Sequence, residues 1–318
     1  MNVIKQLRNL INMSIDSINI NQQSKEAHIN TAHDKKAIKL SLKDELHKIS
    51  PSFADACLET TKALLELIPN GDYTQLAKHS PGLLGYDWNA YISCSSLRLA
   101  HVANALERFG VPGQRVLDFG SYFGNFSIIS NKAGFLTTAV DSYTHYHPAL
   151  SNEKEMLQRI GVEVLDLSCD TEFCTTHAAQ YDFCLLLGVI EHIPHSPKKI
   201  LELARTVLKP GGFVIIDTPN IAYLYNRERL MRGESIFPQI SHQFDCPLPF
   251  EGHHREYSLS EVLWMLKRVG FNPVHSELFN YSIFWASEIY GDDVTRFEAM
   301  EADPSLREII FAVGQRPS

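Results

Sequence analysis

The sequence has no long apolar run, no cluster of basic residues and no continuous apolar segment near its start. Its longest clean apolar stretch is FCLLLGVI, at positions 183–190, which is far too short to span a bilayer. The net charge of −8 argues against a surface that binds duplex nucleic acid, because such a surface needs clustered lysine and arginine. Without a secretory segment, we expect a cytoplasmic protein with no nucleic-acid partner and no stable membrane insertion.

Close cysteine pairs are also missing. The six cysteines are scattered, none forms a Cys-x-x-Cys pair, and the closest two, Cys169 and Cys174, have no partners at zinc-ligand spacing. The fourteen histidines include no His-Glu-x-x-His motif, and no acidic metal-binding loop is present. The sequence therefore predicts reduced, mostly buried thiols and no metal site.

Three regions of different character follow one another along the chain. Residues 1–50 begin with apolar residues at helical spacing and continue into a polar stretch, which predicts an N-terminal helical and linker extension. Its apolar stripe suits docking on the core or on a second copy of the chain, so a homo-oligomer is one expectation. Residues 51–110 are predicted to form a helical cap region, in which Ser52 caps the first helix. Residues 111–318 are the expected ligand-binding domain, with an insertion at 219–252.

From residue 115 onward the pattern alternates between strands and helices, which is typical of βαβ units around a parallel sheet. The pattern therefore predicts an α/β fold with a doubly wound sheet. Strands are predicted at about 115–119, 136–141, 162–167, 182–187, 212–217, 272–279 and 308–314, and helices at about 37–49, 124–133, 149–160, 197–208 and 258–269.

The stretch VLDFGSYFG, at residues 116–124, carries the strongest functional signal. Apolar residues surround Asp118, and Gly120 and Gly124 then bracket a turn before another apolar run. A strand, a glycine turn and a helix start form a ligand-cradling loop in doubly wound folds. The spacing is Gly-x-x-x-Gly, whereas a dinucleotide fingerprint has Gly-x-Gly-x-x-Gly. The loop therefore favours an adenosine ligand other than NAD.

This loop resembles motif I of the class I S-adenosylmethionine (SAM) methyltransferases, Asp-x-Gly-x-x-x-Gly after a strand. Later segments resemble the same family in the same order: AVD ending at Asp141, YDFCLLLGVIEHIP from Tyr181, LKPGGFVIIDTPN from Leu208 and GHHREYSLSEVLWMLKRVGF from Gly252. The resemblance covers about residues 95–318. It implies a Rossmann-like, mostly parallel sheet of seven strands with an antiparallel addition, and SAM as the cofactor.

The resemblance also implies a set of cofactor-binding residues outside the carboxyl ends of the strands. Gly120 and Gly124 would let the methionine part of SAM lie on bare backbone, with exposed loop amides near its carboxylate. Asp118 would receive the ammonium group, or would only tie down the loop. Asp141 would accept hydrogen bonds from the ribose hydroxyls, or would cap a helix. The whole expected set is Asp118, Gly120, Ser121, Gly124, Asp141, Ser142, Asp166 and Leu187.

Some of these assignments compete with neighbours. Ser142 is expected beside the adenine, and Asp166 is preferred to Asp170 as the group near the adenine amine. Aromatic residues before the glycine loop have two possible roles, closing over SAM or packing in the core. The core is favoured for Trp88, whereas Tyr86 and Tyr91 stay open between the two.

Three residues are candidates for acid–base chemistry. Glu191 and His192 follow the fourth predicted strand, and His253 lies two positions before Arg255 in a segment typical of a family subset. A neutral imidazole can take the proton of an acceptor hydroxyl. The alternative is structural: Glu191 and His192 would orient a loop, and His253 would hold the insertion to the core. Arg255 is expected to be a structural ion-pair partner.

Together these features predict a SAM-dependent methyltransferase that acts on a small-molecule, carbohydrate or lipid-linked acceptor, with oxygen as the expected target. The family subset is often linked to quinone methylation or surface-glycan assembly. The main alternative is a SAM-binding regulatory or scaffold subunit of the same fold. An NAD-dependent dehydrogenase is disfavoured by the missing middle glycine, and nucleic-acid modification by the absence of an Asn-Pro-Pro-Tyr loop and a basic face.

Overall fold

A computed structural model describes residues 37–167 and 173–318. Most of the extension predicted at 1–50 therefore lies outside the described residues, and so does its predicted role in oligomer formation. Asp170 also lies outside them. Residues 38–318 form one compact unit. No helix in the described ranges is long and apolar enough to cross a membrane.

The centre of the fold is a seven-stranded sheet in the order β4-β3-β2-β5-β6-β9-β7. Strand β9 runs antiparallel to β6 and β7, and the other neighbours are parallel. The predicted Rossmann-like, mostly parallel seven-stranded sheet is thereby confirmed. β1 and β8 form a separate two-stranded sheet. The strands are β1 (Ala37–Lys39), β2 (Arg115–Phe119), β3 (Leu136–Asp141), β4 (Glu163–Asp166), β5 (Tyr181–Leu187), β6 (Leu208–Pro219), β7 (Asn272–Phe279), β8 (Glu288–Tyr290) and β9 (Ile309–Gln315).

Helices cover the sheet and form most of the connections between its strands. Short 3₁₀ turns lie between some of them, including one at Ile190–His192. The α-helices of the described residues are α1 (Leu42–Ile49), α2 (Ala54–Leu67), α3 (Trp88–Cys94), α4 (Ser96–Phe109), α5 (Asn125–Lys132), α6 (Tyr143–Tyr146), α7 (Ser151–Arg159), α8 (Phe173–Thr176), α9 (Lys198–Val207), α10 (Leu224–Met231), α11 (Ile240–Phe244), α12 (Leu259–Arg268) and α13 (Asp292–Ala302).

Two predictions about the first helices are wrong. The helix predicted over 37–49 begins only at Leu42, because Ser41 accepts the amide of Asp44 and so starts the helix there. Ser52 does not cap α2, since Phe53 occupies the cap position and no side chain bonds the first amides. By contrast, α12 begins with a full capping box, in which Ser258 and Glu261 bond each other's amides.

The sheet is buried on both faces, as expected for a parallel sheet between helices. Along β2 the side chains alternate: Val116 packs with α2, α4 and α5 on one face, and Leu117 packs with α9 and α12 on the other. Helices of the region 51–110 thus share a core with the sheet. The predicted boundaries of the three regions stay predictions.

The strand order places the site. From β2 the chain moves outward through β3 to β4, and it then returns to β5 on the other side of β2. This change of direction opens a crevice at the carboxyl ends of β2 and β5, where ligands of such sheets bind. The loop after β2, the end of β3 and the turn after β5 all lie at this edge. The predicted insertion at 219–252 follows β6 there and contains α10 and α11.

Candidate active site

The glycine loop after β2 is shaped by close contacts that only glycine allows. Gly120 has φ +81°, and a Cβ there would lie 2.7 Å from the Cγ2 atom of Val189. Gly124 has φ +78°, and a Cβ there would lie 2.7 Å from Leu157. At both positions the positive φ and the close neighbour favour glycine, which fits the tight turn of a loop that cradles SAM.

The amides of this loop are used within the protein. Gly120 and Ser121 both donate to the Val140 carbonyl, at 2.8 and 3.1 Å. Tyr122 donates to the Asp141 carboxylate at 2.7 Å, and Gly124 donates to the Ser121 carbonyl at 2.7 Å. The expectation that these amides are exposed to the carboxylate of SAM is therefore wrong for these four residues. The loop is anchored to the end of β3 instead.

Asp118 lies beneath the loop and is only 1% exposed. Its carboxylate accepts the hydroxyl of Ser127 at 2.6 Å, which ties the end of β2 to the first turns of α5. Burial raises the pKa of Asp118 to about 7, although the bond from Ser127 opposes the shift. These contacts fit the alternative in which Asp118 holds the loop in place. Its contact with the ammonium group stays a prediction.

Asp141 ends β3 and faces the loop. One carboxylate oxygen accepts the amide of Tyr122 and the other accepts the amide of Ser142, each at 2.7 Å. Burial raises the pKa of this carboxyl to about 6, and the two amide bonds limit the rise. Each carboxylate oxygen has a second lone pair, so Asp141 keeps the capacity to accept two ribose hydroxyls. The acceptor oxygens at the end of β3 therefore fit the ribose of SAM.

Three other predicted cofactor residues, Ser121, Ser142 and Asp166, lie near Asp141 or near the glycine loop. The Ser121 hydroxyl bonds that of Tyr143 at 2.7 Å, so it supports the loop from inside. Asp166 is the register partner of Asp141 on β4, and it accepts the amide and hydroxyl of Thr144 at 2.8 and 2.6 Å. Ser142 directly follows Asp141. Their contacts with the adenosine stay predictions.

Leu187 ends β5 and is buried beside Asp217 on β6, its register partner. The chain turns at Gly188, directly after Leu187. Gly188 has φ +67°, and its amide donates a hydrogen bond to the Asp217 carbonyl at 3.0 Å. A Cβ at Gly188 would lie 3.1 Å from Nη2 of Arg98 and 3.6 Å from Oε1 of Glu191. The turn after β5 therefore lies against a buried cation and a buried acid.

The three predicted catalytic residues meet in space. Ligand-capable atoms of Glu191, His192 and His253 all lie within 4.8 Å of one another. Backbone contacts bring the two segments together: the His254 amide donates to the Glu191 carbonyl at 2.8 Å, and Nδ1 of His192 bonds the Glu251 carbonyl at 2.7 Å. A carboxylate and two imidazoles at such spacing can also hold a divalent cation. The expected absence of a metal stays a prediction.

The electrostatics of this cluster differ from residue to residue. Burial raises the pKa of Glu191 to about 7, against the opposing charge of His253 and a 2.9 Å bond from Thr218. Burial lowers the pKa of His192 to about 4, so this imidazole is neutral at pH 7. Burial would also lower the pKa of His253, but the bond to Glu256 at 3.1 Å and the charges of Glu191 and Glu256 raise it overall.

The neighbours of His253 have different contacts. His254 bonds the Phe250 carbonyl through Nε2 at 2.9 Å, which anchors the end of the insertion. Arg255 forms an ion pair with Glu261 at 2.5 Å, as the sequence predicted. His253 is therefore the member of this segment that joins the cluster with Glu191 and His192.

The sequence did not identify a buried ion pair beside the cluster. Arg98 of α4 donates to both oxygens of Asp217, at 2.8 and 2.7 Å. Their side chains are 9% and 1% exposed. Asp217 lies near the end of β6 at the crevice, and that position was the available signal. Trp88 is 8% exposed, in agreement with its expected core position.

Known proteins support the assignment of the fold and family. The profile of a family described as a methyltransferase domain matches residues 94–276, more than half of the chain. A ubiquinone biosynthesis O-methyltransferase of Coxiella burnetii (strain Dugway 5J108-111) is 27% identical over 188 residues, 55% of this chain and 75% of that protein. A protein of the same name from Marinobacter nauticus is 31% identical over 120 residues, 36% of this chain and 48% of that protein.

Among solved structures, phosphoethanolamine N-methyltransferase 2 of Haemonchus contortus in complex with SAM aligns with a TM-score of 0.50 at 16% identity. The alignment covers 88% of this chain and 60% of that chain, and it shows a shared fold. The family match, the strand order and the glycine loop agree with one another. The chain therefore belongs to the class I SAM-dependent methyltransferases.

Proposed function

We propose that the enzyme methylates an oxygen of a small-molecule, carbohydrate or lipid-linked acceptor, with His253 taking the acceptor's proton. The observation that carries the proposal is the cluster of Glu191, His192 and His253 at the crevice. An oxygen acceptor gains from a base, because a hydroxyl is a weak nucleophile until its proton is removed. The relatives named ubiquinone biosynthesis O-methyltransferases support oxygen as the target.

When bound, SAM supplies a methyl group already activated by its sulfonium. The residues of the chain then need to align the acceptor, exclude water and receive one proton. Gly120 and Asp141 fit the methionine and ribose parts of SAM, as their backbone and carboxylate geometry indicates. This arrangement would leave the acceptor on the side of β5 and β6.

The contacts of His253 support its proposed role as the proton acceptor. Glu256 accepts a hydrogen bond from Nδ1 of His253, which leaves Nε2 with the lone pair that a base needs. After proton transfer the imidazolium is stabilised by the charges of Glu256 and Glu191. His192, with its lowered pKa, would stay neutral and orient the loop through Glu251.

A labelled-SAM assay with matched acceptors tests this proposal. The panel pairs catechols, prenylated catechols and sugars with analogues that carry an amine in place of one hydroxyl. We expect label transfer to the hydroxyl compounds, a methoxy signal by NMR, and a strong loss with His253→Ala but not with His254→Ala. Transfer only to the amines would contradict oxygen methylation.

A further inference from the structure

Tyr122 occupies an unusual position in the centre of the glycine loop. Its φ is +50°, in the left-handed region that bulky residues rarely adopt. The loop holds it there by the 2.7 Å bond from its amide to Asp141 and by the close packing of its ring on Phe123, 4.8 Å between centroids. A strained aromatic residue between two cofactor-loop glycines indicates a functional constraint on its side chain.

The ring of Tyr122 meets other aromatic rings nearly at right angles. Tyr91 lies 6.5 Å away at 89°, and Tyr146 lies 5.8 Å away at 75°. At such angles the edge of one ring points at the face of the other, so Tyr122 belongs to a cluster of aromatic rings. The partial exposure of Tyr122 shows that its side chain is not closed off in the core.

The charges around Tyr122 are negative. The carboxylates of Asp141 and Glu251 both act on its hydroxyl, and the backbone of Glu251 is bonded to His192 of the catalytic cluster. The cation Arg98, which interacts with Tyr91, is neutralised by its ion pair with Asp217. Burial raises the pKa of Tyr122 well above its ordinary value, so the phenol stays neutral. Aromatic faces beside carboxylates attract cations that have left water.

We propose that the ring of Tyr122 contacts the sulfonium of bound SAM and makes the site prefer the cationic cofactor to its neutral product. The Tyr122 amide bonds Asp141, the predicted ribose acceptor, and its ring packs on Tyr146, whose neighbour His145 bonds Glu251, two residues before His253. These contacts put the ring on the side of the crevice where the methyl group would pass. The product, S-adenosylhomocysteine, has an uncharged sulfur and gains nothing from a cation–π contact. The preference does not depend on which acceptor is methylated.

Titration calorimetry with three ligands tests this inference without any acceptor. The ligands are SAM, S-adenosylhomocysteine and sinefungin, which carries an ammonium group in place of the methylsulfonium. In Tyr122→Leu we expect SAM and sinefungin to bind about 3- to 30-fold more weakly, which is the range of a cation–π contact. Affinity for S-adenosylhomocysteine should change less than about twofold on the same reasoning. Tyr122→Phe should keep the wild-type preference because it keeps the ring.

Two further variants serve as controls. Tyr122→Gly removes the ring and the backbone strain together, so it should fold and lose the preference as Tyr122→Leu does. Tyr225→Leu is the matched control, because the hydroxyl of Tyr225 bonds Asp293 outside this region, and it should change none of the affinities. An equal loss of affinity for all three ligands, or an unchanged affinity for SAM in a folded Tyr122→Gly variant, would overturn the inference. Wild-type binding of SAM and activity on acceptors are measured separately, so a wrong acceptor would leave this result intact.

Discussion

The two halves of the crevice are built in different ways. The half at β2 and β3 takes its side chains from one stretch, residues 118–142, and they bond one another through backbone amides. The half at β5 and β6 brings together Arg98, Glu191, Thr218 and His253, which are distant in sequence. The first half is a local motif, and enzymes that act on different acceptors can share it. We propose acid–base chemistry for the second half, so changes there should affect the reaction more than SAM binding.

The largest expected effect is on the second half. His253→Ala removes the proposed base and should lower kcat by roughly 10²- to 10⁴-fold while SAM affinity stays close to wild type. Only the neutral imidazole accepts a proton, so the wild-type rate should rise with pH. Because Glu256 and Glu191 raise the pKa of His253, the inflection should lie above the ordinary value of about 6.5. Steady-state kinetics across pH, with calorimetry for SAM, measures both.

His254→Ala is the control for this experiment, since His254 bonds the Phe250 carbonyl and lies outside the cluster. Equal small losses in the two variants would favour a packing role for His253. A wild-type rate that disappears with a chelator and returns with a divalent cation would assign the cluster to metal binding instead of proton transfer.

The buried ion pair of the second half should matter for stability. Arg98→Met leaves Asp217 buried without its cation, which should lower the free energy of unfolding by about 3–5 kcal/mol. The double variant Arg98→Met, Asp217→Leu removes both charges and should recover most of that loss. Urea denaturation of the three proteins measures the difference. A double variant as unstable as the single one would show that the charge is not the cause.

Asp141→Ala tests the first half. Loss of charge-assisted hydrogen bonds, worth roughly 1.5–3 kcal/mol, should lower the affinity for SAM about 10- to 150-fold. In the wild type, affinity should fall as the pH drops through about 6, because the protonated carboxyl is a poorer acceptor. Asp166→Asn, on the neighbouring strand, is the control and should have a smaller effect. Unchanged SAM affinity in folded Asp141→Ala would refute the ribose assignment.

The smallest effect on SAM binding should come from the start of the chain. Residues 1–30 match no catalytic motif, so their deletion should leave SAM affinity nearly intact. Oligomeric state or acceptor use should change instead, if the apolar stripe docks on a partner. Light scattering and calorimetry of the shortened protein measure the two properties. Loss of SAM binding with a folded core would show that both halves of the crevice depend on this segment.

Local patterns in the sequence were enough to predict the sheet and the family, and they led to the expectations for the first half of the crevice. Strand periodicity predicted the strands of the central sheet, and glycine spacing placed the cofactor loop, because these features depend on residues close together in the chain. Asp141 was predicted to contact the ribose on similar grounds, since it ends a predicted strand about twenty residues after the loop.

The contacts of the remaining groups depend on how the chain folds. The loop amides of Gly120 and Ser121 bond Val140 on another strand, which no local pattern reveals. The pairing of Arg98 with Asp217 and the opposite pKa shifts of His192 and His253 depend on burial and on charges from distant segments. Residue types and strand ends can be read locally, whereas desolvation and partner choice exist only once the chain has folded.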